Sequence, residues 1–497
     1  MDIFLTLVHL AVVLVLGWLF TWKLAPRLAV LLVRAVGALA CLGGAAVAFG
    51  GAARMVRRAG DVWRWRPKVN PVTAKRLVRF RRIKRGYWSF VGITTLFGLT
   101  MFLELTVSSR PLVIHYEGRT SFPAVSEWLD SWVPFARFPS FLKASDFGQS
   151  GDGPLDVTAF VKRTRDVDAF RREVDQRRAD VARERAAWPA EHPAPAADAS
   201  KGAKATWEAR RKSAERGFAR REVEVEALAK SLEPFAAGRA WCVMPLYPYG
   251  PSDLRHEFDE TPPNAPSPAR GLPLGTDLSG RDIVPLMLYG FRISLAFALI
   301  VSILGYVIGI TVGALQGYYG GWIDISSQRF VEIWSAIPFL FVIMIIVSMI
   351  QPTFIYLVML LVVLRAWIGI TYYVRGEYLR EKAKDYVQAA IGSGVGDAKI
   401  MLKHIFPNTL VPLITFAPFG IVGLIGSLVS LDFLGFGLPP GTPSWGALLR
   451  QGLENVRFHP HLTIIPSAAL ALTLFCVVMV GEAVREALDP KIFSRLR

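Results

Sequence analysis

Residues 385–408 read DYVQAAIGSGVGDAKIMLKHIFPN. Glycines at 392, 394 and 396, with a lysine at 399, have the look of a loop that cradles a phosphate. A phosphate-binding loop needs Gly-x-x-x-x-Gly-Lys-Ser/Thr after a strand, so that backbone N–H groups surround the phosphates. Here Asp397 and Ala398 separate Lys399 from the last glycine, and no hydroxyl residue follows the lysine. The Gly-x-Gly-x-x-Gly dinucleotide fingerprint also fails, since no strand pattern precedes the stretch. Leu379, Ala383, Tyr386, Val387 and Ala390 instead fall at helical spacing, with Arg380, Glu381, Lys384 and Asp385 elsewhere on the surface, which predicts a short amphipathic helix. The cluster Gly392–Gly396 breaks it and permits positive φ. Asp397 is placed to cap a second helix carrying Ile400, Met401 and Ile405, and Pro407 is expected to end it. The stretch therefore reads as helix–turn–helix.

On both sides lie long apolar segments. The chain has 497 residues, 52% of them hydrophobic, and the apolar ones are concentrated in runs. Phe4–Phe20, Leu28–Ala52, Tyr87–Val107, Ile293–Gln316, Val331–Ile350, Phe354–Tyr373, Leu410–Val429 and Leu462–Gly481 are each about long enough to cross the hydrocarbon core, which takes about 20 residues. The expected class is an all-α polytopic membrane protein. The N-terminal run lacks a basic flank and a cleavage site, so it is expected to be retained rather than removed as a signal peptide.

The net charge of +17 raises nucleic acid as a partner, but its location argues against it. Thirteen Lys/Arg and one acid, Asp61, lie between Arg54 and Arg85, directly before an apolar run. Positive charge at that place marks the cytoplasmic flank. Tyr87–Val107 then leads outside, to residues 108–280, where charge is nearly balanced. The short segment GYYGGWIDISSQR is expected inside, the turn QPT outside, 374–409 inside with six Lys/Arg, the segment DFLGFGLPPGTPSWGALLRQG outside, and the basic C-terminus inside. Both termini are thus predicted to be cytoplasmic. Residues 1–67 form an extension that reads either as a hairpin of two membrane helices or as one helix plus an interfacial segment.

The outer insert, 108–280, contains two charged helical patterns. Phe160, Val167, Val174, Val181 and Trp188 recur every seven residues; Trp207, Ala214 and Leu228, flanked by Phe218, Val225 and Leu232, follow on a second stretch. The Pro/Ala-rich PAEHPAPAADASKGAKA separates them, predicting a hairpin of helices near 156–188 and 205–233. It reads either as a solvated spacer or as a docking surface.

The helix–turn–helix resembles the EAA loop of bacterial ABC importer permeases: Glu-Ala-Ala, three residues, then Gly, and further on a Pro. Gln388, Ala389 and Ala390 stand for the triplet, Gly394 for the glycine and Pro407 for the proline, with Gln388 departing from the usual glutamate. GTDLSGRD (Gly275–Asp282), LYGFRISL (Leu288–Leu295), GYYGGWIDISSQRFVEIWSAIP (Gly317–Pro338), SLDFLGFGLPPGTPSWGALL (Ser430–Leu449) and GEAVREALDP (Gly481–Pro490) are similar to the peptide-transporter C-type permeases. RFRRIKRGYWSF and RPLVIHYEGRTSFP resemble the microcin C and oligopeptide branch. The resemblance spans about residues 70–495, outside the charged helices of the insert.

It implies a six-helix type I ABC importer transmembrane domain with a large periplasmic insert: a first core helix within 68–107, a five-helix core in 281–497, and a cytoplasmic coupling loop at 374–409. It also implies a second permease as heterodimer partner, two cytoplasmic ABC ATPase subunits or domains holding ATP and Mg, a periplasmic solute-binding protein, and the bacterial inner membrane. The coupling residues carried over are Tyr386, Gln388, Ala389, Ala390, Gly394, Ile400 and Pro407. Small residues there serve either docking or only the loop's own fold. Arg365, deep in an apolar run, is a substrate-pathway candidate or a structurally paired charge, with Glu332 as one possible counter-charge. Asp432, before GLPPGTPSWG, is the second pathway candidate, next to a connector or re-entrant segment.

No catalytic residue or cofactor is expected in this chain. The sequence has no H-E-x-x-H or G-x-S-x-G, its seven histidines are scattered, and Cys41, Cys242 and Cys476 have no metal spacing. A secondary transporter would call for internal repeats or paired membrane charges, and no repeat is visible.

Overall fold

The computed structural model describes residues 71–116, 118–132, 167–195, 200–255, 261–350 and 352–488. The expected runs Phe4–Phe20 and Leu28–Ala52, and with them the extension 1–67, lie outside these residues.

A basic helix α1 (Pro71–Arg82) precedes α2 (Lys84–Thr100), which continues through a turn into the short α3 (Leu103–Thr106). Then come strand β1 (Val113–Tyr116), β2 (Arg119–Ser121), helix α4 (Pro123–Trp132), the long pair α5 (Val167–Glu191) and α6 (Lys201–Ala236), and β3 (Ala240–Val243). The remainder is helical: α7 (Ile283–Tyr319), α8 (Gly321–Ala336), α9 (Phe339–Met349), α10 (Phe354–Leu361), α11 (Ile368–Lys382), α12 (Asp385–Gly392), α13 (Asp397–Lys399), α14 (Phe406–Leu434), α15 (Trp445–Glu454) and α16 (His461–Leu488). Among the described residues, by length and composition α7, α13 through α14, and α16 can each cross a membrane, and the bent pairs α8–α9 and α10–α11 raise the number to five. The 17-residue α2, not counted among these, packs along α16 in the place of the expected first core helix.

The pairs bend where the sequence reading expected straight spans. Val331–Ile350 is broken by 66° at Ile337–Pro338, where Pro338 cannot continue a helix. Phe354–Lys382 bends by 42° through a widened π turn at Val362–Ala366. The Val363 carbonyl there accepts from the indoles of Trp334 (3.0 Å) and Trp367 (2.8 Å), so backbone groups loosened by the bulge still find partners. The expected inside loop GYYGGWIDISSQR is also corrected. Only Gly320 stands between the helices; Gly321, also at positive φ, already opens α8.

What holds α7 to α11 is a seam of glycines. Gly305, Gly309, Gly313 and Gly317 recur every four residues on one face of α7. A Cβ on them would lie 2.8 Å from the Ala366 carbonyl oxygen, 2.7 Å from that of Trp367, 2.6 Å from that of Thr371 and 2.6 Å from that of Arg375, respectively. The two backbones are in contact because no side chain separates them, which is how membrane helices associate without a hydrophobic gradient. The run GYVIGITVGALQG carried this signal, and sequence reading passed over it.

The insert sits at the opposite end of α7 from residues 385–408. It is built on a small antiparallel sheet, order β2-β1-β3, with Ile114 opposite Ser121 and Cys242. The all-α expectation holds for the core and misses this sheet. Its strands have three or four residues, and β1 and β3 are separated by the whole helical pair. Residues 156–166 of the expected first helix, Phe160 among them, lie outside the described residues; its described part is α5, from Val167. α5 runs through Pro189, and α6 begins at Lys201, inside the expected linker. Phe170 and Val174 pack on Val225 and Leu232, and Arg178–Glu226, Arg185–Glu222 and Arg221–Glu184 bridge the two helices.

Candidate functional site

Residues 383–408 join the end of α11 to the start of α14. α12 ends in a Schellman turn: Val395 N–H donates to Ala390 O (3.1 Å), Gly394 N–H to Ile391 O (3.0 Å), and Gly394 has φ +73°. Of the three glycines only Gly394 takes positive φ; Gly396 is extended and caps α13. Asp397, expected as the cap, is the first residue of α13, where its charge suits the helix dipole. Its carboxylate accepts from the Tyr318 hydroxyl of α7 at 2.7 Å. Pro407 does not end a helix. The turn through Ile400–Ile405 widens to π geometry and runs on into α14, so Pro407 sits inside one continuous helix, directly after the turn where regular hydrogen bonding is already interrupted.

The seven residues carried over from the resemblance divide by burial. Ala390 and Ile400 face inward, with Val387 and Ile405, against Ala314 and Tyr318 of α7, Val374 and Tyr378 of α11, and Leu413 of α14. Tyr386, Gln388, Ala389, Gly394 and Pro407 are exposed. The Gln388 amide donates to the Lys382 carbonyl at 2.7 Å, a bond that a glutamate could not make. Ile391 and Leu402 add apolar surface to the exposed side.

Sequence reading missed the brace beneath this face. Glu381, 2% exposed, accepts from Lys384 Nζ (2.6 Å) and from the Tyr386 hydroxyl (2.7 Å). Tyr386 in turn accepts from Asn408 Nδ2 at 2.8 Å, tying α12 to α14. Desolvation, with the bond to Glu381, holds the Tyr386 hydroxyl above its usual pKa, so it stays a donor. Lys382 Nζ donates to the Tyr318 carbonyl, and Arg375 of α11 clamps Asp324 of α8 bidentately at 2.5 and 2.6 Å. The loop is thus fixed to α7, α11 and α14, and through α11 to the bent pair α8–α9. In a run such as RGEYLREKAKD, ordinary surface charge and a buried Glu381 look alike.

The two pathway candidates stand apart from the loop and from each other. Arg365 lies in the π turn, exposed, with its guanidinium 4.3 Å from the Phe339 ring centroid. Glu332 is not its counter-charge, being held by Arg329 and Gln328. Asp432 is buried at the end of α14 and accepts from Leu438 N–H (2.6 Å) and Ser444 Oγ (2.5 Å). It organises the segment after it. A Cβ on Gly437 would overlap its carboxylate at 1.7 Å, and one on Gly446 would lie 2.3 Å from the Val429 carbonyl oxygen. The segment folds back as α15, with Trp445 and Leu448 buried and Trp445 Nε1 donating to Met287 O.

The remaining motifs position α7. Asp277 accepts from the N–H groups of Ser279 and Arg281 and from the Arg281 guanidinium, which shapes GTDLSGRD and delivers Asp282 as the cap of α7. Asp282 also meets Arg255 of the insert at 2.8 Å, both side chains fully buried. Further along, Arg292 pairs with Glu104 of α3 at 2.8 Å and Tyr289 donates to Val107 O, so LYGFRISL docks the first core span. Arg292 and Glu104 thus form a largely buried charged pair that sequence reading did not single out. Among the described residues no group of three His, Cys, Asp or Glu is placed to hold a metal.

Comparison with known proteins fits this architecture. The chain is 34% identical over 423 residues to the inner membrane ABC transporter permease protein YejE of Escherichia coli strain K12, covering 85% of this chain and 98% of that protein. It belongs to the permease family of binding-protein-dependent ABC transporters. Residues 305–494 match the family described as the binding-protein-dependent transport system inner membrane component, so that the permease signature covers both the glycine seam and the loop. The permease is also 32% identical over 430 residues to the peptidoglycan transport system permease protein YejE of Agrobacterium fabrum, covering 86% and 95%. With the oligopeptide permease OppC of Haemophilus influenzae it shares 41% identity over 217 residues, covering 44% and 70%. A chain of the inward-facing MetNI methionine ABC transporter superposes at TM-score 0.35 and 18% identity over 41% of this chain and 96% of that one, too loosely to carry an argument.

Proposed function

We propose that this permease forms half of the pathway of an ATP-driven importer for peptides or peptide-like solutes in a bacterial inner membrane. A second permease completes the pathway, and a periplasmic solute-binding protein delivers the solute to the insert side. Two cytoplasmic ATPase subunits or domains, which hold ATP and Mg, dock on the loop at 383–408. Both termini then lie in the cytoplasm. The solute class is supported by the relatives' peptide, peptidoglycan and glutathione transport names.

The observation that carries the coupling role is the division of the loop. Its inner face is locked by Val387, Ala390, Ile400, Glu381 and the Schellman turn, while Tyr386, Gln388 and Ala389 stay exposed beside Ile391. A rigid body whose exposed side carries the small Ala389 between larger side chains can fit a cleft and pass its displacement to α7, α11 and α14. Arg365, exposed at the bend of α10–α11, is the residue to test for solute contact; Asp432 serves its own hairpin. Ala389→Trp adds bulk only on the outer face. It is expected to leave insertion and thermal stability unchanged and to abolish co-purification with the ATPase in mild detergent. Normal co-purification of that variant would sink the docking role.

A further inference from the structure

We infer that α1 is a binding surface for anionic phospholipid headgroups on the same membrane face as the loop at 383–408. The helix contains Lys75, Arg76, Arg79, Arg81 and Arg82 and no acidic residue, and Lys84 and Arg85 follow at once. Among the described residues, none of Lys75, Arg76, Arg81, Arg82 and Lys84 forms an ion pair, whereas Arg85 meets Glu486 at 3.7 Å.

The placement of α1 is set by packing. Gly86 lies against Ala483, where an added Cβ would meet the Ala483 Cβ at 2.0 Å, so the start of α2 is fixed to the C-terminal end of α16. α16 begins next to α15, at the insert side, and ends on the side of α12 and α13. The Phe80 ring is 6.3 Å from that of Tyr87 and 5.8 Å from that of Phe90. In one straight helix, residues ten apart would be separated by about 15 Å along the axis. The break at Ile83 therefore folds α1 back across the entry of α2, along the bilayer surface rather than away from it.

Apolar exposure completes the pattern. Leu77, Val78 and Trp88 are 45%, 54% and 66% exposed beside the cations. Such a mixture suits the headgroup boundary, with aromatic and aliphatic groups in the acyl edge and Lys/Arg among phosphates. A surface for a free anion would need no apolar rim.

Near an anionic membrane each Lys or Arg favours association by about fivefold, less when neighbouring side chains share the same lipids. The test uses the full chain, purified with its bound lipid from nanodiscs containing phosphatidylglycerol and phosphatidylcholine, with retained lipid measured by mass spectrometry. The wild type is expected to enrich phosphatidylglycerol. The variant carrying Lys75→Gln, Arg76→Gln, Arg82→Gln and Lys84→Gln is expected to lose that enrichment by about tenfold or more. Exchanging the same four positions between Lys and Arg should retain it. Raising salt to about 1 M, which cuts the screening length to about 3 Å, should release it from the wild type without any substitution. Equal enrichment in wild type and glutamine variant, or displacement by millimolar inorganic phosphate at constant ionic strength, would overturn the assignment.

Discussion

Gly313→Ala tests the contact on which the core depends. The added methyl group would lie 2.6 Å from the Thr371 carbonyl oxygen, 2.9 Å from the Val374 Cβ and 3.0 Å from the Arg375 nitrogen. Ordinary contact begins near 3.4 Å, so α7 and α11 must separate locally by about 0.8 Å. A gap of that size forfeits roughly a quarter to a half of the dispersion energy of each contact it opens. Over-filling a packed site costs about 1–3 kcal/mol. The matched control is Gly376→Ala on α11, where nothing lies within 4 Å of the new methyl. Both substitutions gain the same helix preference, about 0.5–1 kcal/mol, so it cancels in the comparison. Gly313→Ala should therefore be less stable than Gly376→Ala by ~1–3 kcal/mol. The measurement is unfolding of the full chain by dodecyl sulfate in mixed micelles, followed by tryptophan fluorescence. A double Gly309→Ala and Gly313→Ala variant should lose less than the sum, because one separation relieves both clashes. Equal midpoints for Gly313→Ala and Gly376→Ala would refute the seam as the element that joins these helices.

Gly437→Ala places a methyl group inside the Asp432 carboxylate and should free the 435–446 segment, seen as new protease cleavage there with the spans intact. Asp324→Asn leaves the Arg375 guanidinium half-buried without its charge partner, at a cost of about 1–3 kcal/mol. The exchange Asp324→Arg with Arg375→Asp should restore most of that loss in the same unfolding assay, and a silent single variant would show the clamp to be dispensable. Gln388→Glu removes the donor to the Lys382 carbonyl at an exposed site, so stability should fall by less than about 1 kcal/mol. Its thermal midpoint checks this, and a collapse would mean that the amide bond anchors α12.

The sequence alone determined the spans and the loop. Burying an apolar run in lipid adds up residue by residue, so hydropathy located the core spans with only local information. Amphipathic spacing placed Val387, Ala390, Ile400 and Ile405 on one side of a helix–turn–helix, but Leu379, Ala383 and Tyr386 of the same pattern are exposed, because the chain turns at Ala383 and Leu379 belongs to α11. The rest needed partners distant in the chain. Gly313 reads as a weak helix former until Thr371 is seen against it. Glu381 reads as surface charge until Tyr386 and Lys384 close over it. Asp432 and Arg365 look alike as charges in apolar runs, yet one is enclosed by Ser444 and Leu438 and the other stands exposed over Phe339. Neither Pro338 nor Pro407 states from its own identity whether it breaks a helix or sits inside one; the first does the former, the second the latter. Local periodicity fixes which face of a helix is apolar, while only tertiary contact fixes what meets that face and which polar groups must be satisfied there.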